Sequence, residues 1–275
     1  MAWPADDQPP GKEKKTEKPP DIAAPTEKEL ADQRIVFMKS ALNHFSVRAG
    51  DRKEESKVGD PCLRWTNSVG EGATAQGIVA VYAHNKSRPD ALARFFTIGQ
   101  KQLVTEFAII AETDVAILRS GKAFWKPSEY VCRFSDLPKS PVPADKPALR
   151  LTQMRAVAAE FTVVNYFGVK EDKQTMRLLP QPVYRYAEEG KIVDGAVFVF
   201  AVGTDPECCV LVEAVKDDKV SRYRYAIAPM AIFKLEVSYK DTQVWQIERR
   251  MFFGDKCRSY FAGDYVLEPG EKLPE

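Results

Sequence analysis

Four strand-like runs, 77–84, 91–98, 103–111 and 115–118, follow one another with only short turns between them. A parallel neighbour would need a crossover of a dozen or more residues, so connections this short dictate antiparallel pairing. Residues 195–202, 210–215, 223–228 and 232–239 repeat the arrangement further along. The chain is therefore predicted to build two antiparallel meanders. The strongest run, from Val193 through Phe198 to the turn at Gly203-Thr204-Asp205-Pro206-Glu207, reads as a buried strand entering a tight turn.

Each meander is preceded by a stretch with helical spacing. Thr26-Glu27-Lys28-Glu29 is a capping box, in which Thr26 and Glu29 each satisfy a free backbone donor. Leu30, Phe37, Met38, Ala41 and Phe45 then recur at helical intervals, and Gly50 is placed to end the helix in a left-handed cap. A second helix is predicted from about 147 to 167, with Leu151, Met154, Ala158, Phe161 and Val164 on one face and Gly168 at its end. Landmarks keep one register between the halves. Gly50 matches Gly168, Phe45 matches Phe161, Gly77 matches Gly195, Pro89 matches Pro206 and Trp125 matches Trp245, at offsets of 116 to 120 residues. These matches predict an α+β chain made by internal duplication. Each unit would be one helix followed by an antiparallel β-meander, similar to the cystatin or NTF2 arrangement, a likeness of architecture that carries no function. The expected divisions are a disordered leader at 1–25, a first unit at 26–134, a Pro-rich linker at 135–147, a second unit at 148–267 and a tail at 268–275.

A chain of 275 residues, 44% apolar and 29% charged, is long enough to bury a proper core. The Pro, Lys and Glu of residues 1–25 lack apolar periodicity, which is why a leader is expected there. A formal charge of +1 gives no general attraction to nucleic acid, so a nucleic-acid partner is disfavoured. No apolar run approaches the length of a membrane span.

Several catalytic signatures are missing: H-E-x-x-H, the phosphate-binding G-x-x-x-x-G-K-[ST] and the nucleophile elbow G-x-S-x-G. His44 and His84 have no obvious acid or nucleophile partner, and both read as structural or solvated. The five cysteines lack zinc-ligand spacing, so neither a metal nor a cofactor is expected. Cys208 and Cys209 should face opposite sides of a strand as buried hydrophobes. Asn85-Lys86-Ser87 is a weak glycosylation sequon. The densest polar constellation comprises Arg177, Tyr184, Arg185, Asp205 and Glu207, joined by Trp65 and Asn67 from the first half. Strand alternation sends Tyr184 and Tyr186 to one face and Arg185 to the other. Such residues could stack on a ligand ring, or the tyrosines could face the core and the arginines water. Likewise, Trp65 could line a pocket or cap the core.

The segments Trp65-Thr66-Asn67, Arg177-Leu178-Leu179-Pro180, Tyr184-Arg185-Tyr186 and Gly203-Thr204-Asp205-Pro206-Glu207 resemble those of an uncharacterised bacterial family of exported proteins, over most of residues 30–245. The resemblance implies a bacterial source and an extracytoplasmic location, and no mechanism. The first residues here hold no secretory signal. The expectation is thus extracytoplasmic if a signal segment was removed and soluble cytoplasmic otherwise. The function expected is a non-enzymatic binding or structural module for a small-molecule, glycan or protein ligand held near the junction of the two units. The alternative is a hydrolase in which Asp205 and Glu207 divide acid and base roles, supported by Arg177 or Arg185.

Overall fold

The structure is a computed structural model and describes residues 25–68, 74–99, 102–129, 132–168, 170–217, 220–249 and 260–274. The predicted leader therefore lies almost entirely outside the described residues, as do Gly70, Gly72 and Cys257. Helix α1 (Glu27–Leu42) starts at the expected capping box, with the Thr26 side chain accepting from the Glu29 amide and the Glu29 carboxylate accepting from the Thr26 amide. Strand β1 (Phe45–Ala49) follows at once. The first half continues with β2 (Lys57–Val58), β3 (Leu63–Ser68), β4 (Thr74–Ala83), β5 (Pro89–Ile98) and β6 (Gln102–Ile109). It closes with β7 (Val115–Arg119) and β8 (Lys122–Trp125).

A two-residue strand, β9 (Ser135–Asp136), precedes α2 (Pro147–Ala159). Next come β10 (Phe161–Phe167), β11 (Asp172–Thr175), β12 (Arg177–Leu178) and β13 (Tyr184–Glu188). The long strands β14 (Ile192–Val202), β15 (Asp205–Asp217) and β16 (Val220–Pro229) form the second meander. Strands β17 (Lys234–Tyr239), β18 (Thr242–Ile247) and β19 (Tyr260–Asp264) complete the chain.

These strands make four antiparallel sheets among the described residues. One large sheet has the order β19-β6-β5-β4-β2, with β3 also on β4; the other has the order β12-β14-β15-β16-β9, with β13 also on β14. The small sheets are β1-β7-β8 and β11-β10-β17-β18. The two large sheets face one another. Val79, Val81, Leu92 and Val104 from one join Val197, Val199, Cys209 and Leu211 from the other in a shared core. The outer face of the first sheet packs under α1 and its small sheet through Ile78, Phe95, Phe107, Met38 and Phe45. The outer face of the second is covered in the same way through Phe198, Val210, Tyr223, Met154 and Phe161. Period-2 alternation explains the division, because successive residues of each long strand feed opposite cores. Cys208 and Cys209, both buried and free, fall on opposite faces for that reason.

The expected α+β chain of two duplicated helix-plus-meander units, with its cystatin or NTF2 likeness, is corrected here. Among the described residues strands make up 53% and helices 13%, in two helices and four antiparallel sheets. The error begins at Phe45 and Phe161, whose helical spacing hid a change of structure. Helix α1 ends at Asn43 and α2 at Glu160, and Phe45 and Phe161 start strands rich in β-branched and aromatic residues. Those strands pair with late partners, Phe45 opposite Arg119 and Phe161 opposite Tyr239, which takes β7 and β17 out of the meanders. Gly50 and Gly168 do have positive φ, +54° and +69°, but they follow strands rather than helices. The chain also doubles back, since β19 pairs with β6 of the first half and β9 with β16 of the second.

Gly77 lies directly under Trp65. A Cβ there would sit 2.6 Å from Phe96 Cβ, 2.7 Å from the Phe95 carbonyl and 2.8 Å from Trp65 Cε2. Backbone on one side cannot yield cheaply, so Gly77→Ala is expected to destabilise by about 1–3 kcal/mol through overpacking. Urea unfolding would register this as a lower midpoint, and an unchanged midpoint would mean that β3 and β5 shift aside easily.

Candidate functional site

A β-sandwich core is ordinarily apolar, yet two groups of charges lie between the large sheets. Both are anchored on β15, where Glu207 and Glu213 are inward-facing and buried. Six residues of strand place them about 20 Å apart.

At the first, Arg94 of β5 is the centre. Its Nη1 donates to Asp205 Oδ1 at 2.7 Å and to the Pro206 carbonyl, while its Nε donates to Glu106. Glu207 Oε1 stands 3.7 Å from the same Nη1, and Glu207 Oε2 accepts from Asn165 Nδ2 at 3.3 Å. The guanidinium lies over the rings of Phe96 and Trp65, 4.8 and 5.7 Å from their centroids. Burial raises the carboxyls of Glu106 and Asp205 above their ordinary range, against the lowering pull of Arg94.

At the second, Glu213 is fully buried and accepts from three side chains. Arg88 donates from Nε and Nη2 at 2.7 and 2.9 Å, Arg224 from Nε at 2.8 Å, and Tyr186 from its hydroxyl at 2.8 Å. Arg88 and Arg224 both lie over the Phe134 ring, at 4.6 and 4.5 Å. Arg88 also donates to Glu112. Next to this group opens a cleft of about 460 Å³. His84, Arg88, Asp90 and Glu112 of the first half line it together with Glu188 and Lys191 of the second.

The residues singled out from sequence are divided among separate places. Trp65, Asp205 and Glu207 come together around Arg94, and Asn67 lies beside the Gly203 turn. Asn67 Oδ1 would be 3.0 Å from a Cβ on Gly203, and the Thr204 hydroxyl donates to the Thr66 carbonyl. Arg177 supports the same turn by donating to the Gly203 carbonyl at 2.6 Å. Arg185 lies elsewhere, gripping Asp194 at 2.8 and 2.6 Å alongside Arg150 of α2. That contact ties the start of α2 to β14. Tyr184 stacks on Tyr186 with ring centroids 6.0 Å apart, on the face opposite Arg185. Trp65 is 3% exposed and packs in the shared core.

Arg88, Arg94, Glu106 and Glu213 were missed by sequence reasoning. A signal existed: Arg94, Glu106 and Glu213 each interrupt an apolar strand at an inward position, where a charge needs a buried partner. Among the described residues no group of three or more His, Cys, Asp or Glu could hold a metal ion, and no helix is long and apolar enough to cross a membrane. Comparisons with protein-family models, curated proteins and solved structures give no match to this chain.

Proposed function

We propose that the protein is a non-enzymatic binding module whose ligand occupies the cleft between the two halves. One observation carries this. The cleft of about 460 Å³ draws its walls from both halves and rests on the Glu213 network, which holds Arg88 in place before any ligand arrives. Its volume is that of a small-molecule site, and fixed polar groups lower the ordering cost of binding. Arg52, Arg88 and Lys191 face Asp51, Asp90, Glu112 and Glu188 around the opening, one acid more than the bases. Such a lining offers both donors and acceptors with a slight acidic excess, which suits a polar ligand without net negative charge, such as a sugar or an amino acid. The resemblance to exported bacterial proteins would place that ligand outside the cytoplasm.

Glu188 and Lys191 pair with each other at 3.0 Å on the rim and support no core contact, so they can be changed without loss of the fold. Ligand-observed NMR with simple sugars and free amino acids is expected to find a binder that weakens at least about tenfold in Glu188→Ala with Lys191→Ala, the loss of one or two charge-assisted hydrogen bonds. Binding unchanged in that variant but lost in Asn67→Ala with Arg177→Ala would move the site to the Gly203 turn and sink the cleft.

The alternative is a carboxylate-pair hydrolase, and the raised, neighbouring carboxyls of Asp205 and Glu207 speak for it. Against it, neither acid lines the cleft, and Arg94 engages Asp205 directly.

A further inference from the structure

The Arg94 group is unbalanced. Three carboxyl groups, from Glu106, Asp205 and Glu207, surround one guanidinium, and two of them are buried to within a few per cent of completely. Every element around Glu207 contributes a group. Strand β5 supplies Arg94, β6 Glu106, β10 Asn165 and β19 Tyr260, whose hydroxyl faces Glu106; Asp205 is on the same strand as Glu207. Trp65 of β3 closes the arginine from above. Arg94 is the single cation in this set. Two ionised glutamates and an ionised aspartate would therefore leave excess negative charge in a dry interface, which is strongly unfavourable.

Asn165 lies against Glu207 from the other side. It is fully buried, its Nδ2 lies 3.3 Å from Glu207 Oε2, and its Oδ1 has no hydrogen-bond partner. As drawn, the amide donates to Glu207; turned over, its oxygen would accept a proton held there, so this contact accommodates either form and the charge imbalance around Arg94 decides between them.

We propose that Glu207 is held in the protonated form between the two large sheets, and that this proton makes the contact between the halves a clamp that base releases. The proton lies in the hydrogen bond from Glu207 to the neighbouring Asp205 carboxylate. Burial pushes the Glu207 carboxyl well above its ordinary value, and the charges of Asp205 and Glu106 add to this against the opposing pull of Arg94. A carboxyl raised in the folded state stabilises fully below its unfolded value, 4.5, and that stabilisation is lost as pH climbs through the folded value. Loss of the proton to solvent leaves two like charges side by side on β15, facing Glu106 across the junction. The end of the sandwich that carries the Gly203 turn then loosens from β5 and β6.

Urea unfolding of the full chain, followed across a range of pH, tests the clamp. Relative to Glu207→Gln, which is permanently neutral, the folding equilibrium of the wild type is expected to fall by up to about tenfold per pH unit between the unfolded and folded values. A constant difference between the two proteins across that range would overturn the proposal. Infrared spectroscopy with labelled glutamate supplies a measurement that does not depend on the variant folding. The wild type should show a neutral carboxylic acid band at neutral pH that vanishes in base and persists in Glu106→Gln. A fully ionised glutamate spectrum at neutral pH, or loss of the band in Glu106→Gln, would also overturn it.

Discussion

Replacing Arg94 with Met is expected to destabilise the fold by about 3–5 kcal/mol at neutral pH, the usual result of removing one partner from a buried ionic group. Methionine fills much the same volume over Trp65 and Phe96, so little of the loss would come from packing. The loss comes from Glu106, Asp205 and Glu207, which would face one another with no cation between them. Their carboxyls, already raised by burial, would rise further. A variant of this kind keeps its stability while the acids are protonated in both folded and unfolded chains. It loses stability as pH climbs above their unfolded values. The deficit should therefore shrink steadily as the solution is acidified. Denaturant midpoints of wild type and variant at several pH values provide the measurement. A deficit independent of pH would mean that the arginine acts through its stem and not through its charge.

Glu213→Ala is expected to cost about 3 kcal/mol or more, for the complementary reason. Two arginines and a tyrosine hydroxyl would lose their common acceptor in the interior. Arg88 retains Glu112, and Arg224 is partly solvated, which limits the damage. Replacing the set together, Glu213→Leu with Arg88→Met and Arg224→Met, should be milder than the single change, because no charge is then left stranded. Equal losses for the single and the triple variants would show that the site is held by packing on Phe134 rather than by ionic pairing. The same triple variant removes the floor of the cleft. It should weaken ligand binding even where the fold survives.

None of the residues proposed from sequence as a site lines the cleft. Trp65, Asn67, Asp205, Glu207 and Arg177 instead lie around the Gly203 turn and Arg94. Trp65, Asp205 and Glu207 gather on Arg94, whose partners come from the neighbouring strand, as Glu106 does, and from the facing sheet, as Asp205 does. Arg185 and Tyr184, adjacent on one strand, belong to different layers for the same alternation that made them conspicuous.

Local sequence determined what is decided within a few residues. The capping box at Thr26 set the start of α1, short turns imposed antiparallel neighbours on β4, β5 and β6, and period 2 sent Cys208 and Cys209 to opposite cores. These follow from hydrogen-bond reach and side-chain direction, which nearby residues fix by themselves. Only the tertiary structure decided that Phe45 and Phe161 leave the helices for strands, and that β19 returns to β6. It also decided that three acids and an arginine share one buried space. Each of these depends on a partner far along the chain. Its gain is the burial of a complementary face or the pairing of a charge that no neighbouring residue can supply.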